Sequence, residues 1–129
     1  MERGERDRSP GQVARQLLEC TYRGDLAAAS ALCTPDLELR LEGTQVLRGH
    51  EGLRQMMEFA SDVASEVRLE IDRVLSAGDT AAISRTTFLT INGTCIELAV
   101  GSFFRVRDGL VCEWSDYQDI GELTRALGH

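Results

Sequence analysis

The sequence predicts a cone-shaped α+β fold in which three N-terminal helices pack on a strongly curved, mostly antiparallel sheet. Apolar residues recur mainly at helical spacing up to residue 66 and at a period of two after it. The dipeptides Asn92-Gly93 and Asp108-Gly109 separate the later alternating segments and indicate tight hairpins, because both central residues of such turns need positive φ. A sheet of this curvature is expected to enclose a pocket at its wide end.

Length and charge limit the domain count and the class of partner. The 129 residues suit one domain, which we place at residues 10–129, after a flexible N-terminal tail at residues 1–9. The net charge of −7 argues against nucleic acid and against an anionic membrane surface as partners, because both need a basic footprint. Residues 1–11 are charged and lack the apolar segment of a secretory signal, so we expect a cytoplasmic protein.

Three helices are expected in the first half of the chain. The first starts with Ser9 as N-cap and Pro10 at the first helical position, and Gly24 ends it. Its apolar stripe consists of Val13, Leu17, Leu18, Cys20 and Thr21. A short second helix covers residues 25–33. The third covers residues 49–66 and has apolar residues at helical spacing, namely Leu53, Met56, Met57, Ala60 and Val63.

The strands follow from strict alternation. Residues 36–43 place three leucines, Leu37, Leu39 and Leu41, on one face, and residues 44–49 form a short return strand. Four long strands are predicted at residues 67–76, 80–91, 94–107 and 110–118. A short terminal helix is expected at residues 120–128.

The four cysteines do not indicate a metal site. Cys20, Cys33, Cys95 and Cys112 show no C-x-x-C spacing, and the chain has only two histidines. We expect reduced thiols that act as small apolar packing groups.

Asp116 is unusual because strands are poor in aspartate. Alternation places Asp116 on one face of the last strand with Trp114 and Gln118. Two interpretations are open. Asp116 is either a solvated edge residue or a carboxylate held among apolar groups to transfer protons.

The element order and the segment "WSDYQD" at residues 114–119 resemble the nuclear transport factor 2-like superfamily. Within it, the chain is similar to the SnoaL-like polyketide cyclases and the limonene epoxide hydrolases over residues 11–127. The epoxide hydrolases end with a Trp-x-Asp-Tyr-x-Asp strand, whose first aspartate belongs to an Asp–Arg–Asp set. By resemblance, Asp116 takes that place. Allowing one gap, Arg85 takes the place of the arginine and Thr87 that of the second acid; without the gap, Arg85 falls at the second acid.

The resemblance implies a cofactor-independent cyclase or isomerase that needs no metal. Asp116 would be the general acid/base and Arg85 its catalytic partner, acting on an apolar, oxygenated molecule like a polyketide or terpenoid. An alternative is an epoxide hydrolase or an epoxide-opening cyclase. Leu39 and Leu41, however, stand where the hydrolases have the tyrosine and asparagine that position water. A second alternative is a non-catalytic ligand-binding or dimerisation module.

The remaining predictions concern the pocket wall and the partner. The expected substrate-binding residues are Trp114, Gln118, Thr87, Leu39, Leu41, Leu98, Val100, Phe104 and Tyr22. His50 precedes the third helix, and we expect it to serve the turn or cap there. Residues 95–104 carry apolar side chains on both faces of their strand, so we expect a homodimer through the sheet.

Overall fold

The computed structural model describes residues 8–41, 45–118 and 125 of the chain. Within these residues it contains three helices and six strands. Their bounds are α1 (Pro10–Tyr22), α2 (Leu26–Ala31), β1 (Cys33–Leu41), β2 (Val46–Arg48), α3 (Gly49–Val63), β3 (Glu66–Ala77), β4 (Thr80–Ile91), β5 (Thr94–Arg107) and β6 (Leu110–Gln118).

The strands form one mixed sheet in the order β2-β1-β6-β5-β4-β3. Strands β3 to β6 form an antiparallel meander, and only β1 and β6 run parallel. Helix α1 packs across β3 to β6, while α3 packs on β1. The predicted α+β fold, with helices on a curved and mostly antiparallel sheet, is confirmed.

The local signals at the helix start and at the hairpins act as expected. Ser9 caps α1 in a capping box, in which its side chain accepts from the Gln12 backbone and the Gln12 side chain accepts from the Ser9 backbone. The two hairpin turns place Asn92 at φ 53° and Asp108 at φ 55°, each followed by a glycine that also has positive φ.

The boundaries differ from the prediction at β1 and α3. Strand β1 begins at Cys33 and includes Pro35, because the parallel pairing starts where the backbone N–H of Val111 donates to the carbonyl of Leu32 at 2.8 Å. Helix α3 ends at Val63, because Ala64 is extended and Ser65 donates through its backbone to the carbonyl of Thr90. The predicted terminal helix lies outside the described residues except for Arg125.

The interior contains two apolar clusters. The larger lies between α1, α2, α3 and the sheet, and it includes Leu17, Leu37, Leu39, Phe104 and Trp114. The smaller occupies the far ends of β4 and β5 near the end of α3, and its buried members are Ala64, Leu89, Ile91, Ile96, Leu98 and Val100. Along β4, Arg85 and Thr87 are buried between Ile83 of the larger cluster and Leu89 of the smaller. A polar layer therefore separates the two clusters.

The outer face of the sheet, which faces away from the helices, exposes two aromatic rings. Phe103 and Tyr117 are 49% and 46% exposed, and their rings meet edge to face with centroids 5.9 Å apart. A depression of about 490 Å³ lies beside them on the same face, and Ser84, Thr86, Ala99 and Gly101 contribute to its lining. Cys95 is also exposed, so the prediction that all four cysteines pack in the interior is wrong for this one. In the part of the chain that the structure describes, no helix is long and apolar enough to cross a membrane.

Candidate active site

A buried ion pair is the centre of the polar layer. Nη2 of Arg85 donates to Oδ2 of Asp116 at 2.9 Å, and the two residues are 4% and 7% exposed. Asp116 is therefore not a solvated edge residue. Burial of two charges together is tolerated only where the pair is close and its remaining polar atoms are hydrogen-bonded, so the surrounding polar groups matter.

Ser102 connects the two charged groups and was not predicted from the sequence. It has no exposed surface, its hydroxyl donates to Oδ1 of Asp116 at 2.7 Å, and it accepts from Nε of Arg85 at 2.9 Å. The signal for it was present in β5, where Ser102 lies between Val100 and Phe104 on the inward face. A lone hydroxyl in an apolar inward register indicates a polar partner across the sheet.

Trp114 has two functions in this arrangement. Its indole Nε1 donates to Oδ1 of Asp116 at 2.7 Å. Its ring packs against Phe104, with centroids 5.3 Å apart, inside the larger apolar cluster. The same side chain thus fills the core and supplies a hydrogen bond to the carboxylate.

Tyr22 and Thr87 receive the other end of the guanidinium. Nη1 of Arg85 donates to the phenol oxygen of Tyr22 at 2.6 Å and to Oγ1 of Thr87 at 2.9 Å. The two hydroxyl oxygens are 2.6 Å apart and share a hydrogen bond. Thr87 thus lies beside the arginine and supplies a neutral hydroxyl there, at the position to which the gapped alignment with the epoxide hydrolases assigns the second acid.

The carboxylate of Asp116 is surrounded by hydrogen-bond donors. Asp116 accepts from the Arg85 cation, the Ser102 hydroxyl and the Trp114 indole. All three are donors, so both oxygens of this buried carboxylate have a hydrogen-bond partner. The pair has no net charge, so the polar layer as a whole is neutral.

The structure places the other predicted site residues around this layer. Leu39 and Phe104 belong to the larger cluster, whereas Leu98 and Val100 belong to the smaller. Leu41 lies opposite Asp116 across β1 and β6, and half-buried Gln118 lies opposite Val100 across β6 and β5.

His50 lies apart from these residues. It is the second residue of α3 rather than its N-cap, and its Nε2 is 3.1 Å from the carbonyl oxygen of Cys33. It connects the start of α3 to the start of β1.

Asp116 lines neither of two surface depressions, although Arg85 and Val100 are among the residues that line the first. The first is on the outer face, and the second, of about 370 Å³, is lined mainly by charged side chains, among them Asp36, Arg48, Arg105 and Arg107. The side chain of Asp116, taken without its backbone, is 10% exposed, so neighbouring groups largely enclose it. Among the described residues, no group of three histidine, cysteine, aspartate or glutamate side chains is placed to hold a metal ion.

A sequence model of the SnoaL-like domain matches residues 14–114, which is most of the chain. The protein belongs to the SnoaL-like family. No curated protein gives a significant match to the sequence.

Solved structures similar to this SnoaL-like protein share its fold at low sequence identity. An NTF2-like protein of unknown function from Burkholderia pseudomallei has a TM-score of 0.85 and 21% identity, covering 93% of this chain and 98% of its own. IdmH, a candidate polyketide cyclase from Streptomyces antibioticus, has a TM-score of 0.81 and 21% identity, with coverage of 95% and 100%. An epoxide hydrolase of the LEH-like type from M. tuberculosis has a TM-score of 0.77 and 21% identity, with coverage of 92% and 88%.

Proposed function

We propose that this SnoaL-like protein is a cofactor-independent enzyme that moves a proton on a small, apolar, oxygenated molecule. Ring closure or isomerisation through an enolate is the reaction type that the site fits best. The observation that carries the proposal is the buried Asp116–Arg85 pair between two apolar clusters. The candidate cyclase and the epoxide hydrolase of the same fold support an enzymatic function. The proposal includes the cytoplasmic location expected from the sequence.

Two unused positions in the pair provide the chemistry. Among the described residues, Oδ2 of Asp116 accepts only from Arg85, so a lone pair of this oxygen is left to accept a further proton. A guanidinium has five N–H groups, and Arg85 donates four hydrogen bonds. Within the described residues, one N–H of Nη2 therefore has no acceptor. Oδ2 of Asp116, which can accept a proton, thus lies next to Nη2 of Arg85, which can donate a hydrogen bond.

The proposed step uses these two positions. Asp116 removes a proton from a carbon next to a carbonyl group, and the electron pair of that C–H bond moves toward the carbonyl oxygen. Arg85 stabilises the negative charge that develops on this oxygen. Asp116 then returns the proton to another atom of the substrate, which completes an isomerisation. Asp116 thus acts first as a base and then as an acid.

The surroundings favour an apolar substrate. The carboxylate is nearly enclosed, so a substrate has to displace neighbouring side chains to reach it. The smaller cluster, with Leu98 and Val100, consists of apolar side chains at this end of the sheet. A largely hydrocarbon substrate can replace the contacts among these apolar side chains with similar contacts of its own, so binding it costs little free energy.

Epoxide opening is a second candidate. Two features favour it: residues 114–119 match the Trp-x-Asp-Tyr-x-Asp segment of the epoxide hydrolases, and Arg85 contacts Asp116. Opening by an internal hydroxyl group fits better than hydrolysis. The side chains of Leu39 and Leu41 are hydrocarbon and cannot orient a water molecule, and Thr87 supplies a hydroxyl rather than a carboxylate.

A non-catalytic binding module is the third candidate. The observation in its favour is that the side chains of the pair are buried and that Asp116 lines neither of the two surface depressions.

A panel of simple probes distinguishes the three. Cyclic ketones in D₂O are followed by proton NMR for deuterium exchange next to the carbonyl group, and cyclic epoxides with and without an internal hydroxyl are followed for ring opening. Exchange above the buffer rate supports the enolate proposal, whereas epoxide turnover alone supports the second candidate. Probes that bind without any reaction support the binding module.

A further inference from the structure

We infer that the Tyr22 phenol is the proton donor of this site and that the ligand is therefore a neutral molecule with a hydrogen-bond acceptor oxygen. The inference rests on the proposed function and deepens it. Asp116 and Arg85 account for removing a proton and stabilising charge, but neither supplies a neutral acid. Tyr22 and Thr87, at the other end of the guanidinium, do.

A count of hydroxyl protons leads to this assignment. Tyr22 and Thr87 each carry one hydroxyl proton, and both oxygens accept from Nη1 of Arg85. The 2.6 Å contact between the two oxygens uses one of the two protons. In the part of the chain that the structure describes, the other proton has no acceptor. One hydroxyl donor of the pair is thus available to a ligand.

Exposure and chemistry assign that donor to Tyr22. Thr87 is 5% exposed on an interior strand, whereas Tyr22 is half-buried at the last residue of α1. When Thr87 donates to Tyr22, the phenol oxygen accepts both from Thr87 and from the Arg85 cation. The phenol proton is then the one that has no acceptor among the described residues. This orientation therefore leaves Tyr22 as the hydroxyl that can donate its proton to a ligand.

The charge balance indicates the class of ligand. Asp116 and Arg85 neutralise each other, so the polar layer provides no spare charge for an ionic group. The unused donors are the Tyr22 phenol and one N–H of Arg85, and both seek an acceptor. A ketone, enone or epoxide oxygen in an otherwise apolar molecule fits these donors, whereas a carboxylate would lie beside the anionic Asp116.

The proton balance of the enolate step then closes without an outside acid. Asp116 takes one proton from carbon, and Tyr22 gives one proton to the carbonyl oxygen, which leaves a neutral enol, a protonated Asp116 and a Tyr22 phenolate. In the second half, Asp116 gives its proton to a different carbon and Tyr22 recovers its proton from the enol oxygen. Both residues finish in their starting forms.

Ligand binding tests the donor separately from turnover. The probes are cyclohexanone labelled with ¹³C at the carbonyl carbon and methylcyclohexane, a hydrocarbon of similar size without an acceptor. The wild type is expected to bind the ketone about five- to tenfold tighter than the hydrocarbon, and the carbonyl resonance should move downfield. Tyr22→Phe should abolish this preference and the shift. Tyr117→Phe, which alters the exposed tyrosine of the outer face, is the matched control and should leave both unchanged.

A second measurement does not depend on the folding of Tyr22→Phe. The chain has two tyrosines, so 3-fluorotyrosine incorporated into Tyr117→Phe protein places a single ¹⁹F label at position 22. Its resonance should shift with the ketone and much less with the hydrocarbon. If the ketone and the hydrocarbon shift the ¹⁹F resonance equally, or if Tyr22→Phe still prefers the ketone, the assignment of Tyr22 as donor is wrong. The proposed function is not contradicted by either result. Failure of the wild type to bind either probe overturns both this inference and the proposed apolar site.

Discussion

Arg85 and Asp116 meet at 2.9 Å although their strands, β4 and β6, are not neighbours. Strand β5 lies between them, and Ser102 on β5 hydrogen-bonds to both residues. The ion pair therefore crosses β5 on the inward face of the sheet. This crossing explains why a long arginine side chain is needed there and why a small hydroxyl residue lies beneath it.

Breaking this pair should destabilise the fold strongly. Arg85→Met leaves a buried carboxylate without its cation, and we expect a loss of about 3–5 kcal/mol in the free energy of unfolding, measured by urea denaturation. Adding Asp116→Leu should recover much of that loss, because neither charge then remains buried alone. Arg105→Met is the control. Arg105 is 54% exposed in its pairs with Asp79 and Glu113, so its loss should cost less than about 1 kcal/mol. Equal costs for the two arginines would contradict the role of the buried pair.

Ser102→Ala should cost about 1–3 kcal/mol in the free energy of unfolding, because it removes a donor from Asp116 and an acceptor from Nε of Arg85 in a site without exposed surface. Ser84→Ala changes an exposed serine on the outer face of β4 and should stay within about 0.5 kcal/mol. Urea denaturation of both variants checks the difference. A neutral Ser102→Ala would show that the serine does not stabilise the pair.

Stability in alkali should depend on Cys33. Burial raises the pKa of its thiol from an ordinary 9.0 to about 12. Below pH 9 the thiol is protonated in both states, so its contribution is fully present. Between pH 9 and 12 only the unfolded chain loses this proton, and the free energy of unfolding falls by at most about 1.4 kcal/mol per pH unit.

Urea midpoints measured from pH 8 to 11 check this dependence. Cys33→Ala should show a shallower loss of stability above pH 9 than the wild type. Cys95→Ala, which alters an exposed thiol, should retain the wild-type slope. Identical slopes in all three proteins would mean that the Cys33 thiol does not remain protonated in the folded state.

The homodimer expected from the sequence stays a proposal, with the outer face of the sheet as its interface. Phe103 and Tyr117 expose their rings there, beside the depression of about 490 Å³ that Gly101 helps to line. Light scattering at micromolar concentration should give about twice the chain mass of 14.2 kDa. Phe103→Lys should reduce this to the monomer mass, whereas Phe59→Lys, at an exposed phenylalanine on α3, should not. A monomeric wild type would contradict the proposal.

Much of the fold followed from short-range signals. The Ser9 cap and the Asn92-Gly93 turn fix local geometry within a few residues, so the sequence alone predicts them well. The early start of β1 was missed because it depends on the distant partner Val111. Pairing between segments far apart in sequence leaves no local signal.

The site was predictable only in part for the same reason. Alternation placed Asp116 and Trp114 on the inward face of β6, and the structure has them there. The contact with Arg85 crosses an intervening strand, and the approach of Tyr22 depends on where α1 ends over β4. Neither relationship has a fixed sequence spacing. Ser102 was not predicted because alternation marks it only as an inward-facing residue, while its partners Arg85 and Asp116 lie on two other strands.

The most direct test of the account is the rate of deuterium exchange next to the carbonyl group in Asp116→Asn, measured by NMR on the best ketone of the panel and at equal folded fraction. Glu113→Gln, on the opposite face of the same strand, is the matched control. Loss of the base should lower the exchange rate at least about a hundredfold in Asp116→Asn and leave Glu113→Gln unchanged. A rate within about twofold of wild type in folded Asp116→Asn would show that Asp116 is not the group that moves the proton.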